Sequence, residues 1–163
     1  MILAAHIVFA SAVSATARFS LPGAFLFGLV SHHLLDFIPH FDAGSFWPIE
    51  EMKAGTMSAR VRILIFLDIL ASLVFLVWCF WWLKAGFFIL FWASLGAALP
   101  DLVVTGFPFL VPRLRNRPIL KRYEKFHYIF FRQFRPVSLQ RYRIFGNLST
   151  LFIIGFSLWL LLK

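Results

Sequence analysis

Cysteine is nearly absent: Cys79 is the only one in 163 residues, which excludes a disulfide framework and a thiolate zinc site and leaves the redox compartment unreadable. Charge is scarce as well. Only 14% of the residues are Asp, Glu, Lys or Arg, against about 25% in an ordinary soluble domain. There is no internal repeat and no low-complexity segment. No polar stretch is long enough to make a separate soluble catalytic domain. The apolar residues that fill the space, 61% of the chain with 22 Phe and 6 Trp and a mean hydropathy of +0.83, cannot be hidden inside a globule of this size. The composition is that of an integral membrane protein.

Counted in apolar stretches of about 20 residues, the chain forms a single membrane domain over 1–163, an all-α bundle of about five spans. The first runs from Ile2 to Ala17. Its small residues at Ala15 to Ala17 resemble a signal-peptide cleavage site, but no positive n-region precedes it, so it reads as a span. The second runs from Leu21 to His40, with Pro22 as a first helical residue and Pro39 at its close. The third, Ile63 to Leu83, carries one charge, Asp68; the fourth begins at Gly86, meets Pro100 and continues apolar to Val111; the fifth is Ile144 to Leu162.

Between the last two lies a strongly basic segment, 113–143, holding ten of the sixteen Lys and Arg residues against one acid, Glu124. Basic residues in short loops stay cytoplasmic, so this loop and the N-terminus are expected in the cytoplasm. Within it Ile119, Leu120, Tyr123, Phe126, His127, Phe130, Phe131 and Phe134 recur at helical spacing while Lys121, Arg122, Lys125, Arg132 and Arg135 take other faces. That pattern predicts an interfacial amphipathic helix whose partners are the bilayer and anionic lipid headgroups. A nucleic-acid reading of the same basicity is the weaker one. Nothing in the sequence sets an oligomeric state.

Ionisable groups inside apolar spans each cost about 2.5–3.5 kcal/mol on insertion scales, and here they are one-sided. His6 is near the start of the first span; His32, His33, Asp36 and His40 close the second, with Asp42 just beyond; Asp68 is early in the third and Asp101 late in the fourth. Because spans alternate in direction, all of these lie within about 10 Å of one membrane face, with His127 on the same side. His32, Asp36 and His40 at i, i+4, i+8 line one helical stripe, and His33 is an alternative first member. Such a stripe supplies imidazole and carboxylate donors to a divalent ion, with His6, Asp42, Asp101 or His127 completing the shell. Ligation by His and Asp without cysteine suits Zn²⁺, and also Mn²⁺ or Fe²⁺.

Plainer roles exist for single members. His6 alone fits a helix-packing hydrogen bond, Asp68 a partner for Arg60 or Arg62, Asp101 a helix cap, and Glu124 a surface ion pair with its basic neighbours. The conjunction on one face favours a metal site. The alternative is a non-enzymatic membrane protein, structural, adaptor or proton-handling, in which the cluster is structural.

His6 in a short first span, the run SHHLLDFIPHFD, the GAALPD element from Gly96 to Asp101 and the later His127 resemble the small bacterial membrane-bound metal-dependent hydrolases of the YdjM type, with a looser similarity to zinc-dependent phospholipase C. The PD-x-D-H and HRG-like elements of the former are absent, since Leu102 and Val103 follow Asp101. The resemblance implies that His32, Asp36, His40, Asp101 and His127 are metal ligands or their neighbours in a bacterial inner-membrane hydrolase. The expectation is hydrolysis of a phosphoester in a lipid or lipid-linked substrate. Asp101 or Asp68, if not a ligand, would accept a proton from water, and Arg122, Lys125 and Arg132 would hold the anionic headgroup.

Overall fold

The computed structural model describes residues 2–38, 58–81, 86–132 and 139–163, and these are helical throughout with no strand among them. Helix α1 spans Leu3–Thr16, α2 Leu21–Asp36, α3 Ala59–Trp81 and α4 Phe87–Asp101. After α4 the chain winds on through a π-helical turn, Leu102–Gly106, and a last α-helical turn, Phe107–Leu110. A short 3₁₀ segment at Pro112–Asn116 leads to α5, Pro118–Arg132, and α6 is Leu139–Leu162. Three helical stretches, Ala59–Trp81, Phe87–Val104 and Ile144–Leu162, are long and apolar enough to cross a membrane. The chain is a membrane protein.

The short α1 is the hub. It packs against α2, α3, α4 and α6, and its small residues explain how: Ala4, Ala5, Ala10, Ser11, Ala12 and Ser14 are all buried and let four neighbours approach. Its 14 residues make about 21 Å of helix. Outer faces of α3 and α6 are the reverse, with Phe66, Val74, Trp81, Leu151 and Phe152 at 60% exposure or more, as lipid-facing side chains are.

The most extensive contact is α2 against α4. Gly28 and Gly96 face the opposite backbone across it. A Cβ on Gly28 would collide with the Ala93 carbonyl oxygen and sit 2.8 Å from Ala97 N, and one on Gly96 would collide with the Phe25 carbonyl oxygen. With Ala24, Ala93 and Ala97 fully buried in the same seam, the two backbones touch, the small-residue packing that holds helices together where water supplies no hydrophobic drive.

Two boundaries differ from expectation. Helix α2 stops at Asp36 rather than reaching His40. The last amides tighten into three-residue steps, Phe37 N–H donating to Leu34 O at 3.2 Å and Ile38 N–H to Leu35 O at 3.0 Å, because Pro39 has no N–H to continue the ladder and disfavours helix in the residue before it. The stripe therefore holds on the helix for His32 and Asp36 alone; His40 and Asp42 lie outside the described residues. At Pro100, by contrast, the chain continues helically, and the π-helical turn that follows absorbs the missing hydrogen bond.

Helix α5 is amphipathic, as the spacing predicts, but its inner face is narrower. Leu120, Tyr123 and His127 turn inward, while Ile119 and Phe126 are 76% and 46% exposed. The inward residues fall on one stripe from 120 to 127, and Ile119 and Phe126 lie beside it on the rim. Phe130 and Phe131 have no described side chains, and Phe134 lies outside the described residues.

Candidate metal centre

The polar side chains of the cluster arrive from four helices. The first turn of α1 brings His6, the last turn of α2 brings His32, His33 and Asp36, the end of α4 brings Asp101 at the onset of the π-helical turn, and α5 brings His127. The collision surfaces at Gly28 and Gly96 set the depth at which α2 meets α4, which puts His32 against the α4 backbone. His32 Nδ1 lies 2.7 Å from the Ala97 carbonyl oxygen. A carbonyl only accepts, so Nδ1 carries the proton and donates it, and the ring is held with Nε2 facing inward.

What Nε2 faces is negative charge. It is 3.2 Å from Asp36 Oδ2 and 3.7 Å from Asp101 Oδ1, and it has no hydrogen bond among the described residues. A nitrogen lone pair opposed to two carboxylates, in a ring with no exposed surface, requires a cation between them, either a proton or a metal ion. His127 Nε2 completes the group at 4.0 Å from Asp36 Oδ2 and 3.8 Å from Asp101 Oδ1. Donors bound at about 2.0–2.1 Å around a tetrahedral ion stand about 3.3 Å apart. The observed contacts run from 3.2 to 4.0 Å, and the donor atoms gather within 4.8 Å in three overlapping groups: His6, His32 and Asp36; His32, Asp101 and His127; and His33, Asp36 and His127.

The donor set fits a divalent transition ion, and the buried His/Asp groups could hold one. His32 has the fixed tautomer of a metal-bound histidine with its backbone carbonyl partner. His127 suits the role by its protonation. Burial pushes its pKa down to about 4, the nearby His32 and His33 adding to the effect while the Asp36 charge opposes it. At neutral pH it is an uncharged imidazole ready to donate a lone pair. Comparison with protein-family models, curated proteins and solved structures gives no match.

The remaining candidates fall in three places. His6 is inside the cluster, with Nε2 3.3 Å from Asp36 Oδ1 and its ring stacked on His32 at 4.1 Å. Asp68 is occupied elsewhere: its carboxylate accepts from Leu3 N–H at 2.7 Å and Ala4 N–H at 2.8 Å. It caps α1 from a neighbouring helix, a task the N-cap residue Ile2 cannot perform with its own apolar side chain. Arg122 and Lys125 are exposed on the outer face of α5, and the side chain of Arg132 is outside those described.

Asp101, 38% exposed in its side chain while that of Asp36 is fully buried, marks the accessible side. Tyr123 and His33 flank the cluster. The Tyr123 hydroxyl lies 3.4 Å from His33 Nε2, and burial, with the Asp101 and Asp36 charges behind it, raises the phenol pKa above its usual value. Tyr123 reads in sequence only as part of an apolar stripe, and its hydroxyl contact has no sequence signal. The Gly28 and Gly96 contact had one: small residues at four-residue steps, Ala24 with Gly28 and Ala93 with Ala97.

Proposed function

We propose that the chain is a metal-dependent hydrolase of the bacterial inner membrane, crossing it five times with the N-terminus in the cytoplasm, and acting at the cytoplasmic face on a phosphoester of a lipid or lipid-linked substrate. The observation that carries the reading is His32: a buried imidazole with its tautomer fixed by Ala97 and its lone pair directed at two carboxylates. The resemblance to YdjM-type hydrolases supports it through the same residues. Asp36 Oδ2, Asp101 Oδ1 and His127 Nε2 are the other donors. Zn²⁺ is the ion that best matches His and Asp donors without cysteine, with Mn²⁺ or Fe²⁺ as alternatives.

A divalent ion held there supplies Lewis-acid activation of water and of a phosphoryl oxygen. The chain's own residues do the rest. Asp101, the carboxylate open to the surface, takes the proton of the attacking water on its second oxygen. Asp68 remains a cap on α1 and takes no part. Arg122 and Lys125 on α5, with Arg132 further along, meet the anionic headgroup and the membrane surface. The apolar outer faces of the helices keep the substrate's acyl chains in the bilayer while its phosphate reaches the polar end of the bundle.

The test is metal analysis and phosphoester turnover on detergent-purified, tag-free protein, comparing the parent with His32→Ala and Asp36→Ala. The parent is expected to hold at least one equivalent of transition metal and to cleave a member of a phospholipid and lipid-phosphate panel. A chelator abolishes that activity and the ion restores it. Both variants lose metal and activity while staying monodisperse. A parent that stays empty under metal-replete conditions refutes the metal site. Bound metal with no turnover across the panel removes the hydrolase assignment.

A further inference from the structure

His32, Asp101 and His127 gather as one donor group, and the buried His6 joins His32 and Asp36 in another. His6 has no exposed surface, and neither of its ring nitrogens has a hydrogen bond among the described residues. A histidine that pays full desolvation for nothing is costly by several kcal/mol as an order of magnitude. Its Nε2 nonetheless points at the cluster, 3.3 Å from Asp36 Oδ1, while His32 Nε2 stands 3.2 Å from Oδ2 of the same carboxylate.

The two rings are stacked with centroids 4.1 Å apart and planes only 20° off parallel. Each therefore presents its Nε2 to its own oxygen of Asp36, side by side. A carboxylate whose two oxygens face two separate nitrogen donors is the arrangement of a bridging ligand, as found where two ions share a site. A simple hydrogen bond from His6 to Asp36 fits less well, because the 3.3 Å contact lacks hydrogen-bond geometry.

We propose that the centre takes two divalent ions, with Asp36 bridging them: one on His32, Asp101 and His127, the other on His6 Nε2 and Asp36 Oδ1. The inference rests on the single-ion reading above and extends it. In this assignment the second ion takes two donors from the chain, His6 Nε2 and Asp36 Oδ1, and its other positions go to water or to oxygens of a phosphoryl group, the open coordination that an exchangeable, substrate-facing ion needs. Charge points the same way. Asp36 and Asp101 neutralise one dication, so a second leaves the cluster positive, and a phosphate ester, which is anionic, supplies the balance that the protein does not.

The experiment loads the full chain in detergent with Mn²⁺ and reads both stoichiometry and electron paramagnetic resonance. The parent is expected to saturate at two ions per chain with an exchange-coupled spectrum. His6→Ala is expected to saturate at one, with the six-line signal of an isolated ion, and His6→Gln, which keeps the size and polarity of the site, is expected to do the same if the alanine variant is poorly folded. Asp36→Asn loses the coupling and at least one ion. Saturation of the parent at one ion, unchanged in His6→Gln, overturns the second site and leaves the first standing. A parent that binds none overturns both.

Discussion

Gly96 is not among the candidate donors, yet replacing it should weaken metal binding at the proposed centre. A methyl group built there overlaps the Phe25 carbonyl oxygen and comes within 3.0 Å of Leu29 N, where ordinary contact begins at 3.4 Å. The Leu29 contact alone asks for about 0.4 Å of separation, and the Phe25 contact asks for more, with rigid helix backbone on both sides. Ala97, the next residue, accepts the His32 hydrogen bond at 2.7 Å. Moving α4 off α2 by about 1 Å takes that contact to about 3.7 Å, past hydrogen-bonding reach, and frees the ring that the site depends on. Gly96→Ala should therefore cost about 1–3 kcal/mol of stability and lower metal affinity about 10–100-fold, the usual effect of losing a partner that orients a ligand. Chelator competition gives the affinity and thermal melting in detergent gives the stability. Gly155→Ala is the control, because nothing among the described residues lies within 4 Å of its would-be Cβ, and it should leave both unchanged. Parent-like affinity and melting in Gly96→Ala would refute the claim that backbone contact between α2 and α4 sets the site.

Asp68→Ala should lower the melting temperature by the loss of a charged cap, about 1–2 kcal/mol, while metal content per folded chain stays at the parent level. Loss of activity without loss of stability would instead make Asp68 a participant in chemistry. In chelator-treated protein, the docking of α5 should depend on pH through His127. Its pKa, 6.5 when free, falls to about 4 when buried. Below about 6.5 the undocked helix binds a proton that the docked one does not, so docking weakens as pH falls, by about 3 kcal/mol once the pH is below 4, and gains nothing above 6.5. Hydrogen exchange of α5 amides, corrected for intrinsic rates, should show opening easier at pH 5 than at pH 7, and His127→Asn should flatten the trend. A trend that survives in His127→Asn would place its origin elsewhere.

Much of this molecule is legible without coordinates because a membrane imposes simple rules. Apolar length marks where helices lie, and the cost of an ionisable group in lipid makes His6, His32, Asp36 and Asp101 conspicuous as residues that must share an environment, with His127 joining them from the apolar stripe of the amphipathic helix. Alternation of span direction then puts them at one end of the bundle. What the sequence could not decide is which of them meet and through which atoms. Asp68 belongs to the same face by the same logic, yet it turns to the α1 amides, because an uncapped helix end within reach competes for a carboxylate. His32 and His33 are equivalent in one dimension. The seam at Gly28 and Gly96 separates them, bringing α4 close enough for Ala97 to accept the His32 hydrogen bond, while His33 meets Tyr123 and groups with Asp36 and His127. The length of α2 was likewise a matter of local chemistry that Pro39 ended early. Residue type and spacing thus fixed the chemistry available and the side of the bundle on which it gathers. The approach of two backbones, a contact between positions 65 residues apart, decided which lone pair faces which carboxylate.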